Sequence, residues 1–238
     1  MSTMNLLYQR SFPVDDTIRV LVPTVGEILG NEDNYHLAVE IITAQPIGFM
    51  VLLDDAGIDF STINDWDLFI LLMPTLAKLD THLILDGLDI GKFVPMVDTE
   101  NNQVVLYDKK SGIRIDRTTH AKIAATLRKI NHMERDHRKP GNEDAKNYML
   151  ERAREKAKRN KNRSTQSQLE SLIVALVNTE QYKYNFESTL GLSIFQFYEC
   201  VHQIVKKVEY DNRMHGVYAG TINTKNLSQD DLNWMVHK

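Results

Sequence analysis

A lysine- and arginine-rich stretch near the middle of the chain limits, more than any other feature, what this sequence can fold into. It reads NYMLERAREKAKRNKNRSTQSQLE from Asn147 to Glu170, and residues 146–163 hold eight basic and two acidic residues. At helical spacing its apolar positions are Met149, Ala153 and Ala157. A helix built from these residues has little to bury, although its Ala, Glu, Lys and Arg content favours helix. The pattern therefore predicts a solvated, basic helical connector.

This connector divides the chain into three parts. We place an N-terminal α+β domain at residues 1–139, a basic helical linker at 140–166 and a C-terminal α-helical domain at 167–238. Residues 1–108 hold 4 Lys and Arg against 17 Asp and Glu, a net charge of −13, whereas residues 109–238 hold 24 against 15, a net charge of +9. Such a split predicts that the two halves face different partners or attract one another.

The N-terminal part begins with a strand pattern that several helix patterns follow. Ile18, Val20 and Val22 alternate with other residues before Pro23, which predicts a strand ending in a turn. The segments NEDNYHLAVEIITAQP, PIGFMVLLDDAG and STINDWDLFILLMP then predict three helices, the last of them capped by Asn64.

From His82 the pattern changes to short strands. HLILDGLDI contains an Asp-Gly turn, and FVPMV, QVVLY and GIRI are separated by the turn sequences DTENN and DKKSG. We predict a small antiparallel meander with Pro95 at an edge or a bulge, because proline cannot donate a ladder hydrogen bond. A helix then starts near Thr118 and continues until Pro140 and Gly141 stop it.

Two capping-box patterns begin the helices of the C-terminal part. Ser167 with Glu170 starts one helix, and Ser193 with Gln196 starts the next. These two helices are expected to pack against each other. The second helix is expected to bury the apolar residues Ile194, Phe197, Val201, Ile204, Val205 and Val208.

The chain ends with a short helix pattern that presents large apolar side chains. Ser228 is its predicted cap, and Leu232, Trp234 and Met235 follow. An apolar anchor at a chain end either folds back onto neighbouring helices or binds a partner. We favour fold-back onto the two C-terminal helices and take these three side chains as candidate partner-binding residues.

Four cations of the connector form the second candidate partner-binding group. Lysine and arginine at this density release counterions from nucleic acid when they contact phosphates. Tyr148, however, is the only aromatic residue interleaved for base stacking, and the first half of the chain is acidic. A solvated tether or docking arm is therefore favoured, and nucleic acid is not the expected partner. Docking onto an acidic partner, including the N-terminal part of another copy, stays open. The four candidate residues are Arg152, Arg154, Lys156 and Lys158.

Two groups of charged residues resemble catalytic or metal sites. Asp98 lies ten residues before Asp108, and the sequence DKK at Asp108 resembles an element with which some nucleases hold a metal ion. Both aspartates, however, fall where hairpin turns are predicted, and aspartate is common in turns. His132 and His137 in NHMERDH are five residues apart, which does not place them on one helical face. An exposed, polar helix end explains that segment better.

Other enzyme signatures are absent from the sequence. It has no Gly-rich phosphate loop, nucleophile elbow or His-Glu-x-x-His motif. Cys200, the single cysteine, lies on the apolar side of a predicted helix, which indicates a small buried hydrophobe. We therefore predict no catalytic, cofactor-binding or metal-binding residue, and a protein that is not an enzyme.

The same composition predicts where the protein is found. No apolar run approaches the roughly 20 residues that cross a bilayer. The N-terminal sequence MSTMNLLYQRSFPVDD lacks the pattern of a secretory signal. A lone cysteine suits a reducing compartment. Together these features predict a soluble protein of the cytoplasm without a membrane partner.

The order of parts resembles a family of phage proteins. GIDFSTINDWDLFILL in the acidic first part, the connector RKPGNEDAKNYMLERAREKAKRNKNR and the C-terminal MHGVYAGTINTKNLSQDDLNWM together look like tail-morphogenesis proteins of tailed bacteriophages of Gram-positive hosts. Some members of that group are called tail assembly chaperones. The resemblance carries no catalytic or ligand signature and covers most of the chain.

The resemblance implies a non-enzymatic role in phage tail assembly, in the host cytoplasm. A chaperone of this kind binds the long, helical tape-measure protein and recruits tail-tube subunits. Two alternatives stay open: a permanent structural component of the tail or baseplate, located in the virion, and a nucleic-acid-binding protein or Mg²⁺-dependent nuclease. The oligomeric state is open as well, with a homo-oligomer as one outcome.

Overall fold

The computed structural model describes residues 6–99, 102–160 and 167–223, together with 225, 227–228 and 230–235. The α+β class is confirmed, because helices dominate and the strands of these ranges form small antiparallel sheets. The strands are β1 (Ser11–Pro13), β2 (Arg19–Leu21), β3 (Val94–Asp98), β4 (Gln103–Tyr107) and β5 (Arg114–Ile115). The α-helices are α1 (Val25–Leu29), α2 (Glu32–Ile42), α3 (Met50–Asp55), α4 (Asp65–Leu76), α5 (Arg117–Ile130), α6 (Glu143–Asn160), α7 (Gln168–Val177), α8 (Phe186–Leu190) and α9 (Ile194–Tyr218). Within the described ranges, no helix combines the length and the apolar composition needed to cross a bilayer.

Helices α2, α4 and α5 enclose the core of the N-terminal part. Tyr35 of α2, Phe69 of α4 and Leu127 of α5 are each almost completely buried. The start of α4 is as predicted: the Asn64 side chain accepts hydrogen bonds from the backbone N–H groups of residues 66 and 67. The β1–β2 hairpin joins this core through Val20, which is fully buried.

The predicted meander is confirmed for FVPMV, QVVLY and GIRI, which form a sheet in the order β3-β4-β5. All its pairings are antiparallel, with Val94 opposite Tyr107 at one end of the β3–β4 ladder and Asp98 opposite Gln103 at the other. Pro95 lies in β3, an edge strand of this sheet, where a missing N–H leaves no ladder bond unmade. The hairpin predicted in HLILDGLDI is reduced to an isolated bridge between Leu85 and Leu88.

Helix α5 ends ten residues earlier than the sequence suggests. Its last residue is Ile130, and the backbone of His132 then adopts φ 51° in the left-handed region. The predicted continuation to Pro140 is wrong, because the buried face of α5 is complete at Ile130 and the polar residues that follow have no apolar surface to cover. Residues 131–142 instead form an irregular segment.

One buried cluster contains residues from both predicted domains. The backbone N–H of Val25 donates to Leu192 O at 2.9 Å, and that of Ile194 donates to Pro23 O at 2.9 Å. Phe197 at the start of α9 is fully buried in the same cluster. The start of α9 is therefore part of the main core, whereas the division into folding units at residues 139 and 166 stays a prediction.

Candidate partner-binding surfaces

The burial of helix α9 decreases along its length. It has 25 residues, which corresponds to about 37 Å at 1.5 Å per residue. Ile194, Phe195 and Phe197 are buried at its start, whereas none of residues 201–218 is buried. The main core ends near residue 204, so the helix continues along the surface. We call residues 205–218 the outer half of α9.

The outer half of α9 corrects one prediction from the sequence. Ile194 and Phe197 are buried as expected, and Val201 and Ile204 pack partly buried against the core. Val205 and Val208, in contrast, are 49% and 37% exposed. The apolar spacing of a helix predicts that its residues share a face, but it does not predict that another element covers that face.

The C-terminal segment folds back along the outer half of α9. Arg213 Nη1 lies 3.1 Å from a carboxylate oxygen of Asp231, and Lys207 Nζ lies 5.7 Å from the Trp234 ring centroid. Nearer the helix end, the N–H of Ile222 donates to the carbonyl oxygen of Gly216. The expected fold-back of the chain end is therefore present, and the described contacts lie on the outer half of α9.

Several apolar side chains stay uncovered in this hairpin of helix and tail. Leu232 and Met235 are exposed, the latter by 68%, whereas Trp234 is half-buried against Lys207. Together with Val205 and Val208 of the outer half they define what we call the apolar arm. Of the three predicted side chains of the chain end, two are thus free to contact a partner, and Trp234 holds the tail in place.

Helix α6, the predicted solvated connector, is not solvated on all sides. Leu150 is only 8% exposed and belongs to the main buried cluster, with Met149 and Ala153 packed partly buried beside it. The expectation that a helix here buries almost nothing is therefore wrong for its first half. Leu150 and Ala153 are three residues apart and lie on the same helical face.

Two cations of α6 tie the helix to acidic residues of the N-terminal part. Arg154 Nη2 contacts carboxylate oxygens of Asp54 and Asp55, each at 2.6 Å, just where α3 ends. Lys146 Nζ lies 2.8 Å from Asp59. The acidic N-terminal part and the basic helix α6 therefore form ion pairs with each other within one chain.

The four cations predicted as partner-binding residues divide into two pairs. Arg154 is engaged by aspartates, and Arg152 donates to the hydroxyl of Tyr148 and pairs with Glu155 of its own helix. Lys156 and Lys158 are exposed, and no ion pair of theirs occurs within the described part of the chain. Only the second pair is available for a partner without breaking an existing contact.

The two aspartates that resembled a nuclease site lie far apart. Asp98 is at one end of the β3–β4 ladder and Asp108 just beyond the other, about 15 Å away at the usual rise of a strand. Asp108 accepts hydrogen bonds from the hydroxyl of Ser111 and the N–H of Lys110, which hold the pKa of its carboxyl below the usual range. Asp98 pairs with Arg114 at 2.8 Å. The turn interpretation describes Asp108 correctly.

The histidine-rich segment and the cysteine contact other groups of the protein. The His132 ring lies 4.9 Å from the ring of Phe195, and burial lowers its pKa. Asp136 pairs with Arg138. Cys200 is half-buried, and burial raises the pKa of its thiol. Among the described residues, no three His, Cys, Asp or Glu side chains come close enough together to hold a metal ion.

A cleft of about 960 Å³ is a structural feature that is not predicted above from the sequence. Its sides are the first turn of α4, one face of α5, the 131–142 segment and the start of α6. Cationic side chains outnumber carboxylates in its lining by seven to three. The carboxylates are those of Asp65, Asp136 and Glu143. We call this feature the basic cleft.

Two buried or half-buried side chains of α5 lie in the wall of the basic cleft. His120 stacks on Phe69 with 4.2 Å between ring centroids, and its Nε2 contacts the carbonyl oxygen of Ile42 at 3.0 Å. Burial lowers the pKa of His120 to about 4, so the ring is neutral at physiological pH. Arg128 donates to the carbonyl oxygen of Thr43 at 2.6 Å, and burial lowers its pKa.

A sequence signal for this cleft exists in α5. Arg117, Ala121 and Ala125 are spaced by four, and Arg128 follows after three, so these residues share one face. The apolar periodicity that predicts the helix marks its opposite, buried face. A face of small residues with a cation at each end is a weak signal, because nothing in it predicts that other segments rise around the helix to form a cleft.

Comparison with known proteins identifies a family that resembles the C-terminal part of the chain. Residues 158–238, about a third of the chain, match a family model described as the YomV second domain, a phage-derived family name. The match begins near the end of α6 and spans α7 to α9 and the C-terminal segment. It supports a phage-associated protein. No curated protein and no solved structure matches the chain.

Proposed function

We propose that this chain is a non-enzymatic phage assembly factor that binds other phage proteins through its apolar arm. The proposed clients are tape-measure and tail-tube proteins, and the proposed location is the host cytoplasm. The observation that carries the proposal is the exposed apolar surface of the arm, which lies within the part of the chain that matches a phage family.

The arm has the physical properties of a surface for helical clients. An amphipathic helix binds when its apolar face is laid along exposed apolar side chains, such as Val205, Val208 and Leu232. Met235 adds a flexible side chain that can adapt to more than one client. The described contacts of the tail with Lys207 and Arg213 involve an aromatic ring and a carboxylate, and they leave Leu232 and Met235 exposed.

A tape-measure protein suits this surface because of its length and helical periodicity. A long helical protein exposes repeated apolar stripes before it is enclosed in a tube, and such stripes aggregate. A binding partner that covers them reversibly prevents aggregation without changing the client's covalent structure. The resemblance to tail assembly chaperones supports the same class of client.

Co-expression of the full chain with the tape-measure and tail-tube proteins of its phage, followed by affinity capture, tests the proposal. The variant Val205→Ser/Val208→Ser should weaken capture of the tape-measure protein by about tenfold, because two apolar contacts are removed from the arm. Its thermal stability should stay near that of the parent protein, since both side chains are exposed.

A matched control removes two equally exposed valines elsewhere. Val97 and Val104 are cross-strand neighbours in the β3–β4 ladder and are both exposed. Val97→Ser/Val104→Ser should leave client capture unchanged. Equal capture by the arm variant and the parent protein would contradict the proposal.

The location of the protein separates an assembly factor from a structural tail protein. A factor that is released after assembly should be missing from purified virions analysed by mass spectrometry and present in lysates of infected cells. Detection at tail stoichiometry in the virion would favour the structural alternative.

A further inference from the structure

We propose that the basic cleft binds an acidic segment of another protein, with a carboxylate in the fork of Arg128 and apolar side chains on the alanine face of α5. This inference concerns a different surface from the apolar arm and does not depend on a phage role. Three features support the site: the half-buried guanidinium of Arg128, the excess of cations around it and the shape of the cleft floor.

Arg128 is the residue that most requires a partner. It is half-buried, and its described hydrogen bond goes to a backbone carbonyl, that of Thr43. A guanidinium has five N–H donors, and a cation removed from water is costly unless an anion compensates it. The described part of the chain offers Arg128 no carboxylate within ion-pair distance. Asp65 attracts it from farther away but is ion-paired with Arg135, which repels Arg128.

Arg128 lines the basic cleft. Every fully buried side-chain nitrogen or oxygen of the described, non-exposed residues has a hydrogen-bond partner, so any Arg128 nitrogen without a partner is accessible to solvent. The proposed carboxylate binds to such a donor from the cleft. Two parallel N–H donors along one edge of a guanidinium match the two oxygens of a carboxylate.

The cations around Arg128 differ in whether they are already paired. Arg135 is ion-paired with Asp65, Arg138 with Asp136 and Lys146 with Asp59. The other cations of the lining have no ion pair within the described ranges, and they are Arg117, Lys129, Lys139 and Arg128 itself. The cleft therefore keeps an excess of positive charge that attracts an acidic guest.

The floor of the cleft is suited to a polypeptide. Ala121 and Ala125 are exposed there, and their small side chains let another backbone approach α5 closely. Arg117 and Arg128 are eleven residues apart on the helix, about 16 Å. A volume of about 960 Å³ is at the upper end of the range for ligand pockets, large enough for several side chains.

The lining favours a protein over nucleic acid as the guest. Three carboxylates in the wall would repel a continuous chain of phosphates, whereas a peptide can place single acidic residues opposite single cations. Base stacking needs exposed aromatic rings, but Trp66 and Phe60 in the lining are buried. An acidic peptide with intervening apolar residues satisfies both the cations and the alanine face.

Fluorescence polarisation with the full chain at low salt and neutral pH tests this site. The probe is a short labelled peptide of alternating Glu and Leu, compared with the same peptide carrying Gln in place of Glu. We expect binding of the Glu peptide to weaken about tenfold in Arg117→Gln/Lys129→Gln, because two rim charges are lost and both side chains are exposed.

A second variant tests the paired N–H donors of the Arg128 guanidinium. Arg128→Lys keeps the charge but loses the paired donors, and it should weaken binding about fivefold, the equivalent of one hydrogen bond. The matched control is Lys78→Gln/Lys183→Gln, which removes the same charge from two exposed lysines that do not line the basic cleft. This control should bind the probe like the parent protein.

The outcomes decide between the site and its competitors. Loss of binding in the rim variant with retention in the control supports the cleft. Equal loss in both double variants would indicate attraction by net charge alone and overturn the proposal. Absence of binding to the Glu peptide, or preference for labelled oligo-dT over it, would overturn the proposal as well.

Discussion

The two halves of α9 belong to one continuous helix and have opposite environments. The first half holds Ile194 and Phe197 inside the core that it shares with the N-terminal part, whereas the outer half leaves Val205 and Val208 at the surface. The apolar spacing of the first half continues into the outer half as far as Val208. The comparison teaches that spacing decides which residues of a helix share a face, and that neighbouring elements decide whether this face contributes to stability or remains available for binding.

The largest effect is expected from the core half. Phe197→Ala should lower the free energy of unfolding by about 4 kcal/mol, because it leaves a cavity where a fully buried ring packs. Val208→Ser, a change on the same helix, should lower it by less than about 0.5 kcal/mol. Urea denaturation of the full chain measures both values. Similar losses for the two variants would mean that the outer half is as much a part of the core as the first half.

The stability of the N-terminal core should depend on pH through His120. Burial lowers the pKa of His120 to about 4, below the unfolded value of about 6.5, so the unfolded state binds more protons between these values. Stability from this group is therefore complete above pH about 6.5 and decreases by about 3 kcal/mol as pH falls to about 4.

Denaturant unfolding at several pH values measures this dependence. His120→Gln should flatten the stability profile within that window, although the protein becomes less stable overall because the stacking on Phe69 is lost. An unchanged slope in the variant would assign the acid sensitivity to other groups.

The smallest effect on stability is expected at the tail. Trp234→Ala removes the contact with Lys207 and should lower the free energy of global unfolding by about 1 kcal/mol or less. The tail should nevertheless detach more often, because few contacts hold it. Limited proteolysis should therefore cut the segment after Tyr218 faster, while the core stays resistant. Unchanged proteolysis would show that Trp234 does not hold the tail.

Local structure was the part of the fold that the sequence predicted well. Asn64 caps α4, Ser193 and Gln196 form the predicted capping box, and the meander occurs where alternating residues and turn sequences indicate it. In each of these cases the signal and its structural consequence lie within a few residues of one another. Short-range hydrogen bonds and turn geometry are therefore encoded locally.

Contacts between distant segments were the part that the sequence did not predict. Leu150 is buried because α3 lies against α6, and the hydrogen bond from Val25 to Leu192 joins residues far apart in the chain. The basic cleft has the same origin, since α4, α5 and the 131–142 segment become neighbours only on folding. The end of α5 at Ile130 also depended on which surface remained to be covered.

The continuity of α9 also has a mechanical consequence. A single hydrogen-bonded helix extends from the buried Phe197 to the tail contact at Gly216, without a break between core and surface. A force applied to the outer half is transmitted through a stiff lever whose short end is fixed by Ile194 and Phe197. A client that pulls on the tip therefore loads the interior directly, and the torque acts on the hydrogen bonds that join residues 23–25 to residues 192–194.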